Sequence, residues 1–252
     1  MKKYRIGKVY ISATSPDDVK LRITRAVEEG INDYICVSNV RTVAYANKDA
    51  AYREVMNNAF MCTPDGMPLV WMARLWGLKE VQRTVGPDLF VQMINDKESG
   101  LKHYLLGDTD ETLAAMRTKF SDGEASNIVG TFSPPFCELD EYDFEGIARR
   151  INESGANLVW VSLRAPKQDY LASRLLPYLD KKICIGVGAA FRFSLGQIKH
   201  PPKMFKKLGL TGLFWRKMDL AKIGWYFHHF FLLTKWGCGI LFARLCGKKY
   251  ND

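Results

Sequence analysis

The chain has 252 residues, of which 47% are hydrophobic and 25% charged, and its net charge is +9. This composition is that of a globular protein and excludes a disordered one. The charge is unevenly placed: residues 199–252 contain 11 Lys and Arg against 2 Asp and Glu, whereas the 25 basic and 25 acidic residues of 1–198 cancel. Because a neutral body lacks the basic stripe of a nucleic-acid-binding domain, we expect no nucleic-acid partner.

Short apolar runs that each end at a polar or glycine position predict β-strands at 33–39, 59–65, 102–108, 126–132, 157–163 and 182–188. Segments with helical spacing alternate with them, at 17–30, 43–58, 67–77, 87–98, 109–121, 141–154 and 168–179. Strands that are apolar on both faces and alternate with helices are typical of a mostly parallel sheet covered on both sides. We therefore predict a Rossmann-like α/β core over residues 1–198.

Residues 199–252 are predicted to form a basic, aromatic, helical appendage. Their longest uncharged stretch, 223–234, has 12 residues, whereas a helix that spans a bilayer needs about 20. Aromatic side chains among basic ones favour a segment that lies on an anionic membrane surface; a helical pair packed on the core or on another subunit is the alternative. Since the N-terminus does not resemble a signal peptide, we expect a cytoplasmic protein, held peripherally at the inner face of the cell membrane.

The cysteines and histidines favour neither disulfides nor a metal site. The six cysteines form no CxxC pair, and Cys36, Cys62 and Cys184 lie in strand-like runs. Buried free thiols in a reducing compartment are therefore expected. The four histidines lack the spacing of metal ligands.

Polar residues lie at or just beyond the ends of several predicted strands: Asn39, Asp65, Asp108 and Arg164. In parallel sheets, ligands bind beyond the carboxyl ends of the strands, so these residues are expected to share one cleft. The alternative is that they only mark where strands end. Asp65, within Pro-Asp-Gly at 64–66, is accordingly either a residue of an ordinary tight turn or a carboxylate exposed at the mouth of the sheet.

Three further motifs bear on ligand binding. In GVGAAF (186–191) Phe191 stands where a dinucleotide motif has its third glycine, which disfavours a dehydrogenase; a turn around Gly188 that a phosphate or sugar approaches stays open. Asp108-Thr109-Asp110 spells the DxD of metal-nucleotide sites, but a helix cap is favoured there. The helix start at Lys167 and Gln168 suits an anionic or hydrogen-bonding ligand, although the signal is weak.

Taken together and in order, several motifs carry a resemblance to a known family: Asn39, PDGMPLV (64–70), RTVGPDL (83–89), LLGD (105–108), APKQD (165–169) and GVGAAF (186–191). Over roughly residues 33–215 the chain resembles the WecG/TagA/CpsF glycosyltransferases. The resemblance implies transfer of a sugar, often N-acetylmannosamine, from a UDP donor to a polyprenyl-diphosphate-linked acceptor, with inversion and with no cofactor or divalent metal. It also implies a Rossmann-like core and a C-terminal appendage that meets the membrane.

The resemblance also assigns roles to residues. It makes Asp65 the catalytic base, with Asn39 and Arg83 as active-site partners and Gln168 in the donor pocket. Inversion by direct displacement needs one carboxylate to take the acceptor proton, and cations or donors near the leaving diphosphate. Besides Arg83, those cations are expected to include Lys167 and the appendage residue Arg216, with Arg216 at the acceptor diphosphate. Arg164, Gly188 and Arg192 complete the expected donor site.

Departures from the family pattern bear on specificity. Val37 stands where Thr is common, Ser162-Leu163-Arg164 replaces Gly-Leu-Gly, and Arg192 stands where Asp is usual. We therefore expect a donor other than the commonest one, and a UDP-uronic acid would suit Arg164 and Arg192. A catalytically inactive member that serves as a membrane-bound scaffold of a polysaccharide assembly complex is the main rival hypothesis.

Overall fold

The computed structural model describes residues 1–120, 127–199 and 223–250, together with single positions between 202 and 214. The chain opens with an antiparallel hairpin of β1 (Lys3–Ile6) and β2 (Val9–Ser12), which the sequence patterns did not predict. Six parallel strands follow as one sheet: β3 (Asp33–Ser38), β4 (Met61–Pro64), β5 (His103–Gly107), β6 (Ile128–Phe132), β7 (Leu158–Ser162) and β8 (Ile183–Gly186). Their order is β4-β3-β8-β7-β5-β6. The predicted parallel α/β core is confirmed.

The helices alternate with these strands. They are α1 (Pro16–Glu28), α2 (Val40–Lys48), α3 (Ala50–Asn58), α4 (Met67–Leu75), α5 (Gly86–Ile94), α6 (Asp110–Phe120), α7 (Phe144–Glu153), α8 (Lys167–Leu175), α9 (Ala190–Ser194) and α10 (Ile223–Leu245). The prediction of a single helix over 43–58 is wrong. Asp49 is extended there, with φ −100° and ψ 120°, and its carboxylate caps α3 by accepting from the Tyr52 amide.

Alternate side chains of the sheet pack into two cores, one on each face. On one face Cys36, Val159 and Val161 contact residues of α2, α3, α4, α7 and α8. On the other face Ile35 and Trp160 contact residues of α1, α5, α6 and α9. Burial on both sides explains why these strands are continuously apolar. The cysteines of β3, β4 and β8 are buried and free, as predicted.

The helix α10 packs one side on the core. Trp236 and Ile240 are buried in the same cluster as Met72 of α4, and the Arg244 guanidinium donates to the Leu75 carbonyl at 2.7 Å. The other side exposes large apolar residues, among them Phe230, Phe231, Phe242 and Leu245. Among the residues that the structure describes, no helix is long and apolar enough to cross a membrane.

Candidate active site

The carboxyl edge of the sheet gathers the residues that follow the strands. Along this edge lie Asp65 after β4, Asn39 after β3, Gly188 after β8, Arg164 after β7 and Asp108 after β5. Because all six strands run in the same direction, their carboxyl ends meet on one side of the molecule. These residues therefore lie along one edge of the sheet, and that they form one cleft stays a prediction.

Asp65 is held by a rigid turn at the edge strand. Its amide donates to the Ser38 carbonyl of β3 at 2.6 Å, and Gly66, which precedes α4, has φ 157°, a value that side-chain-bearing residues avoid. The Asp65 carboxylate is 29% exposed, and its Oδ1 lies 4.0 Å from Nε of Arg83. Burial raises the pKa of Asp65 to about 6, against the lowering influence of Arg83 and with a further rise from Asp88. The turn thus presents a carboxylate that is ionised at neutral pH and still basic.

Arg83 reaches Asp65 from a segment that is tied down on both sides. The Gln82 amide donates to the Thr14 carbonyl at 3.0 Å, and the Thr84 amide donates to the Pro64 carbonyl at 2.9 Å. The Arg83 side chain between them is largely buried. Its guanidinium is therefore a fixed cation beside the carboxylate. The contact with Thr14, which follows the hairpin, has no counterpart in the sequence motifs.

Asn39 combines a structural task with a free amide. Its Oδ1 accepts from the amides of Arg41 at 3.0 Å and Thr42 at 3.3 Å, which caps α2. The Asn39 NH₂ group has no acceptor among the residues that the structure describes. The capping bonds fix the side chain just after β3, beside the end of β4 that Asp65 follows, so the NH₂ group can donate to a ligand.

Gln168 holds the glycine turn after β8. Its side chain is buried, and its Oε1 accepts from the Gly188 amide at 2.9 Å. From the other side the Ser162 hydroxyl donates to the Gly188 carbonyl at 2.7 Å. Gly188 has φ 60°, and nothing lies within 4 Å of the place where a Cβ would point. The turn is thus preorganised and open, with both polar groups of Gly188 engaged by the protein.

Two of the predicted donor-site cations differ in their surroundings. The Lys167 ammonium donates to the Cys137 carbonyl and lies 4.8 Å from the centre of the Tyr142 ring. Lys167 therefore faces the 137–142 loop. The Arg164 side chain is exposed after β7. Arg216 lies outside the described residues.

Arg192 is paired with the acid at the end of β5. Its Nε and one terminal nitrogen bond the Asp108 carboxylate at 2.8–3.0 Å. Asp108 is almost fully buried, whereas Arg192 is 47% exposed. The Thr109 hydroxyl accepts from the Thr112 amide at 3.3 Å, which confirms a cap for α6 at the DxD sequence. Within the described ranges, no group of three or more His, Cys, Asp or Glu side chains is placed to bind a metal.

Asp169 is another aspartate with a raised pKa, and the sequence motifs do not single it out. It is 3% exposed beneath the sheet and accepts from the Tyr52 hydroxyl at 2.6 Å. Burial raises the pKa of Asp169 to about 6, although hydrogen bonding from Tyr52 opposes the rise. An Asp in the first turn of a helix ordinarily lies in solvent and interacts favourably with the helix dipole, so the sequence pattern does not indicate that Asp169 is buried.

A parallel sheet whose carboxyl edge gathers a basic carboxylate, a fixed arginine and an open glycine turn is the architecture of an α/β enzyme. A comparison with protein families shows which kind of α/β enzyme this is. The sequence model of the Glycosyl transferase WecG/TagA/CpsF family matches residues 4–219, and the chain belongs to this family. It is a glycosyltransferase with a role in polysaccharide synthesis. The match begins in β1, so it includes the hairpin that lies before the motifs.

Proposed function

We propose that the chain is an inverting glycosyltransferase that moves a sugar from a UDP donor to a saccharide linked to polyprenyl diphosphate, without a divalent metal. One observation carries the proposal: the partly exposed Asp65 carboxylate lies at the carboxyl edge, 4.0 Å from Arg83, with a pKa of about 6. A general base performs best when its pKa lies near the working pH. Asp65 meets that requirement at a place that substrates can reach.

In the proposed reaction Asp65 accepts the proton of an acceptor hydroxyl. The hydroxyl oxygen forms a bond to the anomeric carbon of the donor, and the bond from that carbon to the β-phosphate oxygen breaks on the opposite face. The leaving UDP carries away the electron pair. The reaction involves no oxidation or reduction. Because it is a single displacement, it inverts the anomeric configuration.

The leaving diphosphate needs cations or donors. Arg83 is fixed beside the base, and the Asn39 NH₂ group is close by on the neighbouring strand, so both support that role. Arg164 is exposed and available. Lys167 would have to leave the Cys137 carbonyl to take part, and we rank it below Arg83.

We infer that the donor lies along the edge of the sheet. Asp65 and Asp108 are separated by four strand spacings in the order of the sheet, or about 19 Å at about 4.8 Å each. If the sugar reacts at Asp65, the nucleoside then extends towards Gly188 and Arg192. In this arrangement Arg192 acts on the nucleoside end, and Asp108 balances its charge.

We propose that α10 holds the enzyme on the inner face of the cell membrane. The side of α10 that faces away from the core exposes Phe231, Phe242 and Leu245. Lys235 is exposed on the same helix, and Lys248 is exposed shortly after its end. Apolar side chains among basic ones suit an anionic bilayer surface. Such a position would bring the enzyme to a lipid-linked acceptor.

Donor use is tested by thermal melting of the purified protein with a panel of nucleotide sugars and a chelator. A UDP-sugar is expected to raise the melting temperature without added metal, because a bound ligand stabilises the folded state. Stabilisation that strictly requires Mn²⁺ would contradict the proposal and turn attention to Asp108 and Asp110. Sugar transfer by the same preparation would exclude the inactive scaffold.

Membrane binding is tested by sedimentation with vesicles of anionic or neutral lipid. The wild type is expected to prefer anionic vesicles, and Phe231→Ser/Phe242→Ser should reduce binding at least about tenfold because two large apolar side chains are lost. Leu21→Ser, an exposed apolar position on α1, is the matched control. Equal sedimentation of all three proteins, or retardation of DNA in a gel shift in place of vesicle binding, would contradict the proposal.

A further inference from the structure

Arg41 is a cation at the carboxyl edge of the sheet to which the proposed reaction gives no task. It lies in the first turn of α2, and its amide donates to Oδ1 of Asn39 at 3.0 Å. Its side chain is exposed, and a terminal nitrogen of its guanidinium donates to the Ala165 carbonyl at 3.1 Å. Arg41 follows β3 by three residues, and Ala165 follows β7 by three. The side chain therefore connects the ends of two strands that are not neighbours.

The guanidinium of Arg41 lies near the glycine turn after β8. In the sheet β8 runs between β3 and β7, so two strand spacings of about 4.8 Å each separate the strands that Arg41 connects. A side chain that connects them passes the end of β8, where the turn around Gly188 begins. Gln168 joins the same parts, because its amide donates to the Arg164 carbonyl at 3.2 Å and its Oε1 accepts from the Gly188 amide. Arg41 thus adds a cation next to the preorganised turn.

The charge of Arg41 is not balanced by its described neighbours. Among the residues that the structure describes, no carboxylate pairs with Arg41, and the first turn of α2 contains no acid. By contrast, Arg83 and Arg192 each have a carboxylate beside them. A guanidinium has five N–H groups, of which the bond to Ala165 uses one. Charge and donors are therefore left for an anion, and the planar fork of the guanidinium suits two oxygens of a phosphate.

The order of groups along the edge indicates which anion this is. This step rests on the proposed function, in which the sugar reacts at Asp65 and the nucleoside extends towards Gly188 and Arg192. The diphosphate joins sugar and nucleoside, so it lies between the end of β4 and the end of β5. Arg41 spans the interval from β3 to β7, which lies inside that range. We propose that Arg41 binds the diphosphate of the donor and holds it on the leaving UDP.

The binding test uses titrations with UDP and inorganic pyrophosphate by calorimetry, and with uridine by NMR. Arg41→Gln should weaken the binding of UDP and of pyrophosphate about tenfold, because a charge-assisted contact is lost, and leave the affinity for uridine unchanged. Arg41→Lys keeps the charge without the fork and should recover part of the loss. Arg53→Gln is the control: Arg53 also donates to a backbone carbonyl, that of Ala46 at 3.3 Å, but it lies on α3 and follows no strand. Its affinities should equal those of the wild type.

A purely structural role of the Arg41 bond gives a different result. If the bond to Ala165 only fixes the loop after β7, Arg41→Gln lowers the melting temperature and weakens the binding of uridine and UDP by the same factor. That outcome, or an unchanged affinity of Arg41→Gln for UDP and pyrophosphate, overturns the inference. So does a wild type that binds neither UDP nor pyrophosphate.

Steady-state kinetics separate the two diphosphates of the reaction, and they separate this inference from the proposed function. Arg41→Gln should raise the KM for the donor about tenfold and leave the KM for the lipid-linked acceptor unchanged. A rise in the acceptor KM alone would assign Arg41 to the acceptor diphosphate and overturn the inference. A wild type that transfers no sugar yet binds pyrophosphate through Arg41 would overturn the proposed reaction and keep the diphosphate site. Transfer by the wild type, together with an unchanged donor KM in Arg41→Gln, would overturn the inference alone.

Discussion

Two aspartates in different parts of the molecule have their pKa raised to about 6, yet their surroundings differ in how far a substrate can reach the carboxylate. Asp65 lies at the rim of the sheet, 29% exposed and 4.0 Å from Arg83. Asp169 lies beneath the sheet, 3% exposed and bonded to the Tyr52 hydroxyl. Burial is the largest cause of both shifts. The comparison teaches that a raised pKa does not by itself identify a catalytic base, because the base must also be reachable by substrate.

The largest expected effect is the loss of turnover when Asp65, at the rim of the sheet, is replaced. Asp65→Asn should lower kcat by about 10²- to 10⁴-fold, because the amide cannot accept the acceptor proton. UDP binding should persist, and the melting temperature at neutral pH should stay the same or rise. The sign follows from the raised pKa: a folded state that binds the proton more tightly loses stability as pH rises through 6, and Asn removes that charge. Near-normal transfer by a folded variant would place the base elsewhere.

Replacement of Asp169, the buried aspartate, is expected to lower the stability of the protein. Asp169→Ala should lower the free energy of unfolding by about 1–3 kcal/mol, because the Tyr52 hydroxyl loses its acceptor in a buried site. Asp169→Asn keeps an acceptor oxygen and should recover most of the loss. Denaturant unfolding of both variants measures this difference. If Asp169→Ala unfolds like the wild type and loses turnover instead, the two aspartates have been assigned the wrong way round.

Arg83 sharpens the comparison because, among the residues that the structure describes, a cation lies beside Asp65 and none lies beside Asp169. Arg83→Gln should lower kcat by about 10²-fold, the effect of losing one group that stabilises the leaving charge. It should also move the pH midpoint of kcat/KM above 6, because Arg83 lowers the pKa of Asp65. A midpoint that stays in place would mean that Arg83 does not act on Asp65.

The smallest expected effect concerns Arg192. Arg192→Gln should weaken UDP binding severalfold, and it should lower the stability by about 1–3 kcal/mol, because the almost fully buried Asp108 carboxylate loses its cation. Arg174→Gln removes an arginine of similar exposure, 44% against 47% for Arg192, from the exposed acid Asp140, and is the control for donor binding. Equal donor binding by the two variants, measured by titration calorimetry, would remove Arg192 from the donor site.

The sequence allowed the sheet and its edge to be predicted because six apolar runs and their polar ends are local signals. Asp65 and Asn39 could be placed at this edge for the same reason. The hairpin is not predicted because β1, with the sequence KYRI, alternates charged and apolar residues and so lacks the continuous apolar run that marks the strands of the sheet. The break at Asp49 was missed because the helical spacing continues through it.

Pairings between distant segments could not be predicted from spacing. The Gln168–Gly188 bond and the Arg192–Asp108 pair join residues 20 and 84 positions apart, and only the packed fold brings them together. The burial of Asp169 depends in the same way on α3 and its Tyr52. These contacts show which of the predicted residues bond other parts of the protein.

The most direct test of the central claim is the pH dependence of kcat/KM for wild type and Asp65→Asn, measured side by side with saturating donor. Because the ionised carboxylate is the active form, the wild-type value should fall about tenfold per pH unit below 6 and level off above it. The residual activity of Asp65→Asn should lack this limb. A wild-type profile that is flat through pH 6, or a variant that retains the same limb, would contradict the assignment of Asp65 as the base.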